Sequence, residues 1–201
     1  MKLGFDVRGY QFDVGLKAIA QGFRASAIAL MAEVERIEAD LAAYERAGVW
    51  EGERDDDGHV IWSRDQIFAM EQEAAEEALM HLRKAFVLAL YHHWERAIRA
   101  YTGGGQGPRH GQLIKRAEQE GIAVVPALEK TYRLANALKH NSDNHGTRLF
   151  EIWPAIFDEH FKPISGVDWY RAVVLADEHV DEALEAIAKS GPRIWPKGKP
   201  F

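Results

Sequence analysis

The sequence predicts an all-α protein, an antiparallel helical bundle built on a long helix hairpin. Residues 13–47 and 64–101 carry apolar side chains at spacings of three and four, the pattern of helices with one apolar face. At about 1.5 Å per residue, each helix would span on the order of 50 Å. A short interruption between them returns the chain, which favours two long helices lying side by side in opposite directions.

Chain length and composition are those of an ordinary globular domain. The chain has 201 residues, of which 47% are hydrophobic and 28% charged, and none is cysteine. We therefore predict one helical domain over residues 1–190, followed by a flexible or docked tail over 191–201. The lack of cysteine excludes disulfide bonds, a thiolate metal site and a cysteine nucleophile.

The charge pattern bears on location and partners. Asp6 and Asp13 fall where a signal peptide needs an apolar core, and no apolar run approaches the roughly 18 residues of a membrane span. These features predict a soluble, cytoplasmic protein with no membrane partner. The net charge of −6 argues against broad, non-specific nucleic-acid binding, although it leaves room for a local RNA site.

The segment between the two long helices contains turn and capping signals. Asp57-Gly58 lies between two apolar stretches, so residues 49–62 fit either a small β-hairpin or an acidic loop. Ser63 and Gln66 have the spacing of a capping box, in which each side chain bonds the other residue's backbone N–H. This spacing predicts that a helix begins after Ser63.

The second half of the chain is predicted as shorter helices over 111–120, 126–140 and 168–189. The glycine-rich stretch 102–108 lacks the Lys-Ser or Lys-Thr of a phosphate-binding P-loop, so it is interpreted as a helix terminator and linker. Residues 141–146 have the composition of a turn. Residues 147–161 receive no assignment, because Pro154 disfavours a continuous helix.

The helix predicted over 126–140 carries one polar stripe. On a helical wheel, Arg133 and His140 lie within about 20° of each other, with Asn136 between them. The opposite face is apolar and is predicted to be core, through Leu128, Tyr132, Ala135 and Leu138. An imidazole exchanges protons near neutrality, and a guanidinium grips phosphate oxygens. The trio therefore suits metal-free phosphodiester cleavage, and a plain solvated helix face remains the alternative.

The same residues carry a family resemblance. Arg133-Leu-Ala-Asn-Ala-Leu-Lys-His140, followed by Asn141, resembles the signature of the HEPN superfamily, an arginine and a histidine separated by four to six residues. These are all-helical domains of toxins, abortive-infection and phage-defence ribonucleases. The resemblance covers residues 65–185, and the long N-terminal helix lies outside the family's minimal fold.

The resemblance implies a metal-independent endoribonuclease, a toxin or antiviral-defence effector that cuts tRNA or mRNA through attack by the ribose 2′-hydroxyl. Catalysis is assigned to Arg133 and His140 of the motif, together with Asn136, which lies between them on the helical wheel. The resemblance also implies a homodimer with a possible antitoxin or defence-complex partner. Further substrate contacts are expected from side chains that flank the motif or lie on the other core helix, namely Asn141, Lys139, His92 and Glu95.

Two alternatives are weighed against the ribonuclease. A helical di-metal site needs Glu-x-x-His pairs, and none of the nine histidines follows a glutamate at that spacing, so no metal and no cofactor are predicted. His93 is interpreted as a satisfied core histidine. The second function class is a non-catalytic helical protein that binds a nucleotide, an RNA or a protein partner, and the acidic balance of the chain favours it.

Overall fold

The computed structural model describes residues 5–105, 107 and 109–194, and it confirms the all-α prediction. The two long helices are α1 (Val7–Ala47) and α2 (Arg64–Tyr101), and two short strands, β1 (Gly52–Arg54) and β2 (Val60–Ser63), lie between them. The remaining helices are α3 (His110–Gln119), α4 (Ala127–His140), α5 (Asp143–Ile152), a 3-10 turn (Pro154–Ile156), α6 (Trp169–Ala172) and α7 (Asp177–Lys189). Within the described ranges, none of these helices is both long and apolar enough to cross a membrane.

The chain divides into two compact units, and the long helices contribute to both. The larger unit comprises Met1–Gly22 with Arg83–Phe201, and the smaller one comprises Phe23–Leu82. In the larger unit, Phe12 of α1 stacks on His93 of α2 with ring centroids 5.0 Å apart. In the smaller unit, Tyr44 packs against Phe68 at 5.9 Å. Also in the larger unit, Arg8 donates to the Tyr101 carbonyl at 3.1 Å and Gly22 faces Phe86, so later positions on α1 meet earlier positions on α2 and the two helices run antiparallel there.

A two-stranded antiparallel hairpin joins the long helices in the smaller unit. Asp55 Oδ1 accepts hydrogen bonds from the backbone N–H groups of Asp57 and His59 at 3.0 and 2.8 Å. Gly58 has a φ of +84°, which glycine adopts without strain. After the hairpin, Ser63 donates its N–H to Gln66 Oε1 at 3.1 Å, and Gln66 returns its N–H to Ser63 Oγ at 3.5 Å. The predicted capping box is therefore formed.

Helix α4 occupies the middle of the larger unit. It packs against α5, α6 and α7. Its buried side chains include Leu128, Leu134 and Leu138, while the fully buried Trp94 of α2 donates its indole N–H to the Ser190 carbonyl at 2.7 Å. The buried leucines place one face of α4 in the core of this unit.

The prediction of one continuous helix over 168–189 is wrong. The chain leaves α6 after Ala172, runs extended and starts α7 at Asp177. The backbone of this extended segment bonds to other parts of the chain. The Val174 N–H donates to the Ile156 carbonyl at 2.8 Å, and the Leu175 carbonyl accepts from Arg83 Nη1 at 3.1 Å. Val173 and Leu175 are both buried, as alternate residues of an extended segment can be. The apolar spacing of three and four residues over 168–189 is therefore compatible with an extended break as well as with a continuous helix.

The turn predicted over 141–146 is shorter than expected, because α5 already begins at Asp143. The Asp143 carboxylate stabilises this helix start by accepting from Trp169 Nε1 at 2.9 Å and from Gly166 N at 3.1 Å. Gly146 lies within the helix, where any Cβ atom would collide with the indole ring of Trp169. Gly146 therefore allows α5 to lie close against the Trp169 ring of α6, and it does not end a turn.

The beginning of the predicted tail is docked. Gly191 and Pro192 are buried, and the Ile194 carbonyl accepts the Asp6 N–H at 2.8 Å. This hydrogen bond ties residues 191–194 to the start of α1. The rest of the predicted tail, 195–201, lies outside the described residues.

Candidate functional site

The polar stripe of α4 is partly buried. Arg133 keeps 21% of its side chain exposed and binds Glu129, one turn earlier, through both Nε and Nη2 at 2.7 Å. Its Nη1 atom makes no hydrogen bond to the part of the chain that the structure describes. Asn136 donates its amide to the Tyr132 carbonyl at 2.8 Å. The arginine and the amide are therefore held against their own helix, with one guanidinium edge available to a ligand.

His140, at the end of α4, meets a second histidine that the sequence analysis did not select. Its imidazole stacks on His145 of α5, with ring centroids 5.4 Å apart and ring planes 27° from parallel. Asn141, which takes a left-handed conformation with a φ of 45°, turns the chain between the two helices. We call the group formed by Arg133, His140 and His145 the α4–α5 site.

The electrostatic surroundings of His145 favour its neutral form. Burial lowers the pKa of the His145 imidazole, and electrostatic repulsion from His140, Arg133 and Arg148 lowers it further. Its Nδ1 atom is buried and has no hydrogen-bond partner among the described residues. A neutral imidazole near neutral pH can accept a proton, which is the requirement for a general base.

A second feature, which we call the α2–α4 cavity, lies on the other side of the stripe. It encloses about 270 Å³. Its walls come from α2, from the start of α3 and from α4, with the lining residues Tyr91, His92, Glu95, Arg99, Arg109, His110, Tyr132, Ala135, Asn136 and Lys139. Four residues predicted as site residues, namely His92, Glu95, Asn136 and Lys139, are thereby brought together.

His110 forms a buried part of the cavity wall. Its ring stacks on Tyr132 with centroids 3.8 Å apart and planes 5° from parallel, and its Nδ1 lies 3.0 Å from the Tyr91 hydroxyl. Its Nε2 lies 3.2 Å from Glu129 Oε2, within ion-pair distance, and makes no hydrogen bond to the described residues. Burial lowers the pKa of His110, and the Glu129 carboxylate opposes that effect. Tyr132, which was predicted as core, is thus half-buried and belongs to this wall.

The α2 side of the cavity carries a row of charged and polar side chains. Glu95 binds Arg99 at 2.8 Å through one oxygen, and its other oxygen lies 3.5 Å from His92 Nδ1. Arg99 Nη1 also donates to the Gly105 carbonyl at 3.2 Å, which ties the glycine-rich segment to α2. His93, predicted as a satisfied core histidine, is half-buried, and its Nε2 lies 2.8 Å from the Phe12 carbonyl.

The remaining predicted site residues flank these two features. Lys139 is exposed and lines the cavity, whereas the neighbouring His140 belongs to the α4–α5 site. The Asn141 side chain accepts the Tyr170 backbone N–H at 3.1 Å, so it also anchors α6.

Sequence reasoning missed His145, His110 and Arg109. His145 was assigned to a turn, and only a helix start at Asp143 would have revealed its spacing from His140. His110 and Arg109 follow the glycine-rich linker, and the sequence carries no signal that this linker returns α3 to α2.

A possible cation-binding group lies far from these features in sequence. Within the described ranges, Asp55, Asp57 and His59 of the hairpin bring their ligating atoms within 4.8 Å of one another. All three side chains are exposed, and Asp55 is already occupied in holding the hairpin turn. The group is therefore explained by the turn itself.

In comparisons with protein-family models, curated proteins and solved structures, the chain matches none of them.

Proposed function

We propose that the protein is a metal-independent endoribonuclease whose α4–α5 site cleaves RNA. The observation that carries the proposal is the stack of His140 on His145, near enough to Arg133 for the guanidinium charge to lower the pKa of His145. Two imidazoles supply a proton acceptor and a proton donor, and a guanidinium supplies the positive charge that a phosphorane-like transition state needs. The resemblance to HEPN toxins and antiviral-defence ribonucleases points to the same chemistry.

The proposed reaction uses only these side chains and the RNA. Neutral His145 accepts the proton of the ribose 2′-hydroxyl while the 2′-oxygen attacks phosphorus. The bond from phosphorus to the 5′-oxygen breaks, and protonated His140 gives its proton to that leaving oxygen. Nη1 of Arg133 contacts a non-bridging phosphate oxygen. The products are a 2′,3′-cyclic phosphate and a free 5′-hydroxyl, and electrons and protons balance without a cofactor.

The second candidate is a helical protein that binds RNA or a nucleotide without cutting it. One observation favours it: Glu129 already binds two nitrogens of Arg133, and Glu95 binds Arg99. These carboxylates reduce the positive charge that a transition state would meet. Under this alternative, the α4–α5 site and the α2–α4 cavity bind a ligand, and no cleavage product forms.

The proposal includes a homodimer, with an antitoxin or defence-complex protein as a further partner. Its support is the family resemblance, since HEPN ribonucleases place two motif helices across a shared cleft. Light scattering at micromolar concentration tests this part, and a monomer under those conditions would contradict it.

The decisive experiment incubates the purified protein with total RNA and with tRNA in EDTA. We expect cleavage that yields 2′,3′-cyclic phosphate ends, and a loss of about 10²–10⁴ in rate for His140→Ala, His145→Ala and Arg133→Ala. His160→Ala is the matched control, because His160 is 86% exposed and outside the site. Binding without cleavage would favour the second candidate, and cleavage that requires a metal would refute the mechanism.

A further inference from the structure

We infer that the α2–α4 cavity is a phosphate subsite, which holds the RNA phosphate adjacent to the one that the α4–α5 site cleaves. The inference rests on the proposed function for the identity of its ligand. It adds a second binding position, built mainly from residues that take no part in the proposed chemistry.

The charge of the cavity is opposite to that of the whole chain. Arg99, Arg109 and Lys139 are positive and Glu95 is negative, so the lining carries an excess of two positive charges when the histidines are neutral. The chain as a whole carries a net charge of −6. A concave, positively charged region on an acidic protein concentrates anions locally, because surrounding low-dielectric walls focus the field.

Two of these cations have no internal partner within the described ranges. Glu95 binds Arg99 at 2.8 Å and largely cancels its charge. Arg109 and Lys139 form no ion pair or side-chain hydrogen bond with the residues that the structure describes. They reach the cavity from different elements, Arg109 immediately before α3 and Lys139 near the end of α4. Two unpaired cations converging on one concavity from separate elements fit a bound anion.

Other features of the cavity favour phosphate over a simple halide or carboxylate. Helix α3 has ten residues and begins at the cavity wall, so the positive end of its dipole adds to the cationic field. The amide of Asn136 and the exposed imidazole of His92 supply further polar groups. A phosphate group with several oxygens can use donors that approach from several directions.

Size and position then link the cavity to an RNA strand. Its volume of about 270 Å³ lies just below the roughly 300–1,000 Å³ of pockets that hold whole small molecules, which suits a phosphate group with part of its nucleotide. Lys139 and His140 are neighbours on α4, so their side chains diverge by about 100°. One serves the cavity and the other the α4–α5 site. A single-stranded RNA that crosses the end of α4 would therefore meet both features.

The test measures binding of a 2′-O-methyl RNA oligonucleotide, which lacks the attacking hydroxyl, by fluorescence anisotropy at several salt concentrations. We expect Arg109→Ala and Lys139→Ala each to weaken binding by about tenfold, the gain typical of a charge-assisted hydrogen bond. The slope of log affinity against log salt should become shallower by about 0.7, because each variant neutralises one phosphate fewer. Lys115→Ala is the matched control, an exposed cation of α3 outside the cavity.

Competition with inorganic phosphate and with a nucleoside monophosphate shows whether the subsite binds the phosphate of an RNA strand, of a free nucleotide or of free phosphate. We expect inorganic phosphate to displace the oligonucleotide from the wild-type protein at lower concentration than from the Arg109→Ala, Lys139→Ala double variant. Equal displacement from both would overturn the subsite. Binding of the monophosphate with no binding of the oligonucleotide would overturn its assignment to an RNA strand.

These outcomes separate the subsite from the proposed function. Wild-type affinity in both single variants would sink the subsite even if the protein cuts RNA. A wild-type protein that binds the oligonucleotide through Arg109 and Lys139 but cuts no RNA would retain the subsite and refute the cleavage. Thermal unfolding of each variant shows whether its fold is intact, and both side chains are exposed, so their removal leaves no core cavity.

Discussion

The Nε2 atom of His110 lies 3.2 Å from one oxygen of Glu129, and the other oxygen of that carboxylate binds Arg133. Burial raises the pKa of the Tyr91 hydroxyl, so this group stays protonated and can donate to His110 Nδ1. The ring proton then belongs on Nε2, the ring nitrogen nearest to the Glu129 carboxylate. Glu129 thus connects the buried wall of the α2–α4 cavity with the arginine of the α4–α5 site.

This connection predicts the effect of Glu129→Gln on His110. The Glu129 charge raises the pKa of His110 against the effect of burial, so its removal should lower that pKa further. An NMR titration of the histidine ring protons measures this shift. Glu182→Gln is the control, because Glu182 pairs with Lys130 at 2.8 Å and makes no contact with His110. A pKa of His110 that rises or stays constant in Glu129→Gln would contradict the assignment.

The lowered pKa of His110 also predicts a pH dependence of stability. Because the folded pKa lies below the ordinary value of 6.5, the unfolded chain binds the proton more readily. The stabilisation is complete above pH 6.5 and is lost as the pH falls through that value towards the folded pKa. His145 acts with the same sign, since its pKa is also lowered.

Urea unfolding between about pH 7.5 and 5 measures this dependence against the ordinary histidine pKa. We expect the free energy of unfolding to decrease less steeply on acidification in His110→Gln than in the wild type. His160→Ala, which removes an exposed imidazole, should keep the wild-type slope. Identical slopes in His110→Gln and wild type would show that His110 does not titrate abnormally.

A third prediction concerns the packing that places His145. A Cβ atom at position 146 would overlap the ring of Trp169, which is fully buried, so α5 and α6 would have to move apart. We expect Gly146→Ala to lower the free energy of unfolding by about 1–3 kcal/mol, the usual cost of overpacking. Gly111→Ala is the matched control, because a Cβ there meets nothing within 4 Å and the residue lies in α3.

In that control, alanine should stabilise the helix by about 0.5–1 kcal/mol. Chemical denaturation of both variants gives the comparison. If Gly146→Ala were as stable as Gly111→Ala, the close contact between α5 and Trp169 would be wrong.

The sequence predicts those features of the fold that depend on interactions between residues close together in the chain. The limits of α2 and the Ser63 capping box depend on helical periodicity and on contacts within one turn, and both were predicted from the sequence. The break between α6 and α7 was missed, because it depends on the hydrogen bond from Val174 to Ile156, a residue distant in the chain. Periodicity alone does not distinguish a helix from an extended segment with alternate buried residues.

The same distinction applies to the candidate site. The wheel argument grouped Asn136 with Arg133 and His140 from helix geometry alone, and the structure has Asn136 half-buried in the wall of the α2–α4 cavity. The wheel did not show that Glu129 would pair with Arg133, nor that Lys139 and His140 would serve different features. Those outcomes depend on α2, α3 and α5, whose positions relative to α4 are set by tertiary packing.

The last prediction tests the electrostatics of the α4–α5 site directly. Electrostatic interactions with His140 and Arg133 each lower the pKa of His145. Removing either charge should therefore raise that pKa, and an NMR titration of His140→Ala and of Arg133→Gln measures the change without any need for activity. Arg171→Gln is the control, because Arg171 is 86% exposed and pairs with Asp168.

If His145 acts as the general base, the acid limb of the pH–rate profile for RNA cleavage should follow its pKa. The limb should lie below the ordinary histidine value of 6.5 in the wild type and shift upwards in the residual activity of Arg133→Gln. An unchanged acid limb together with a raised His145 pKa would show that another group accepts the proton.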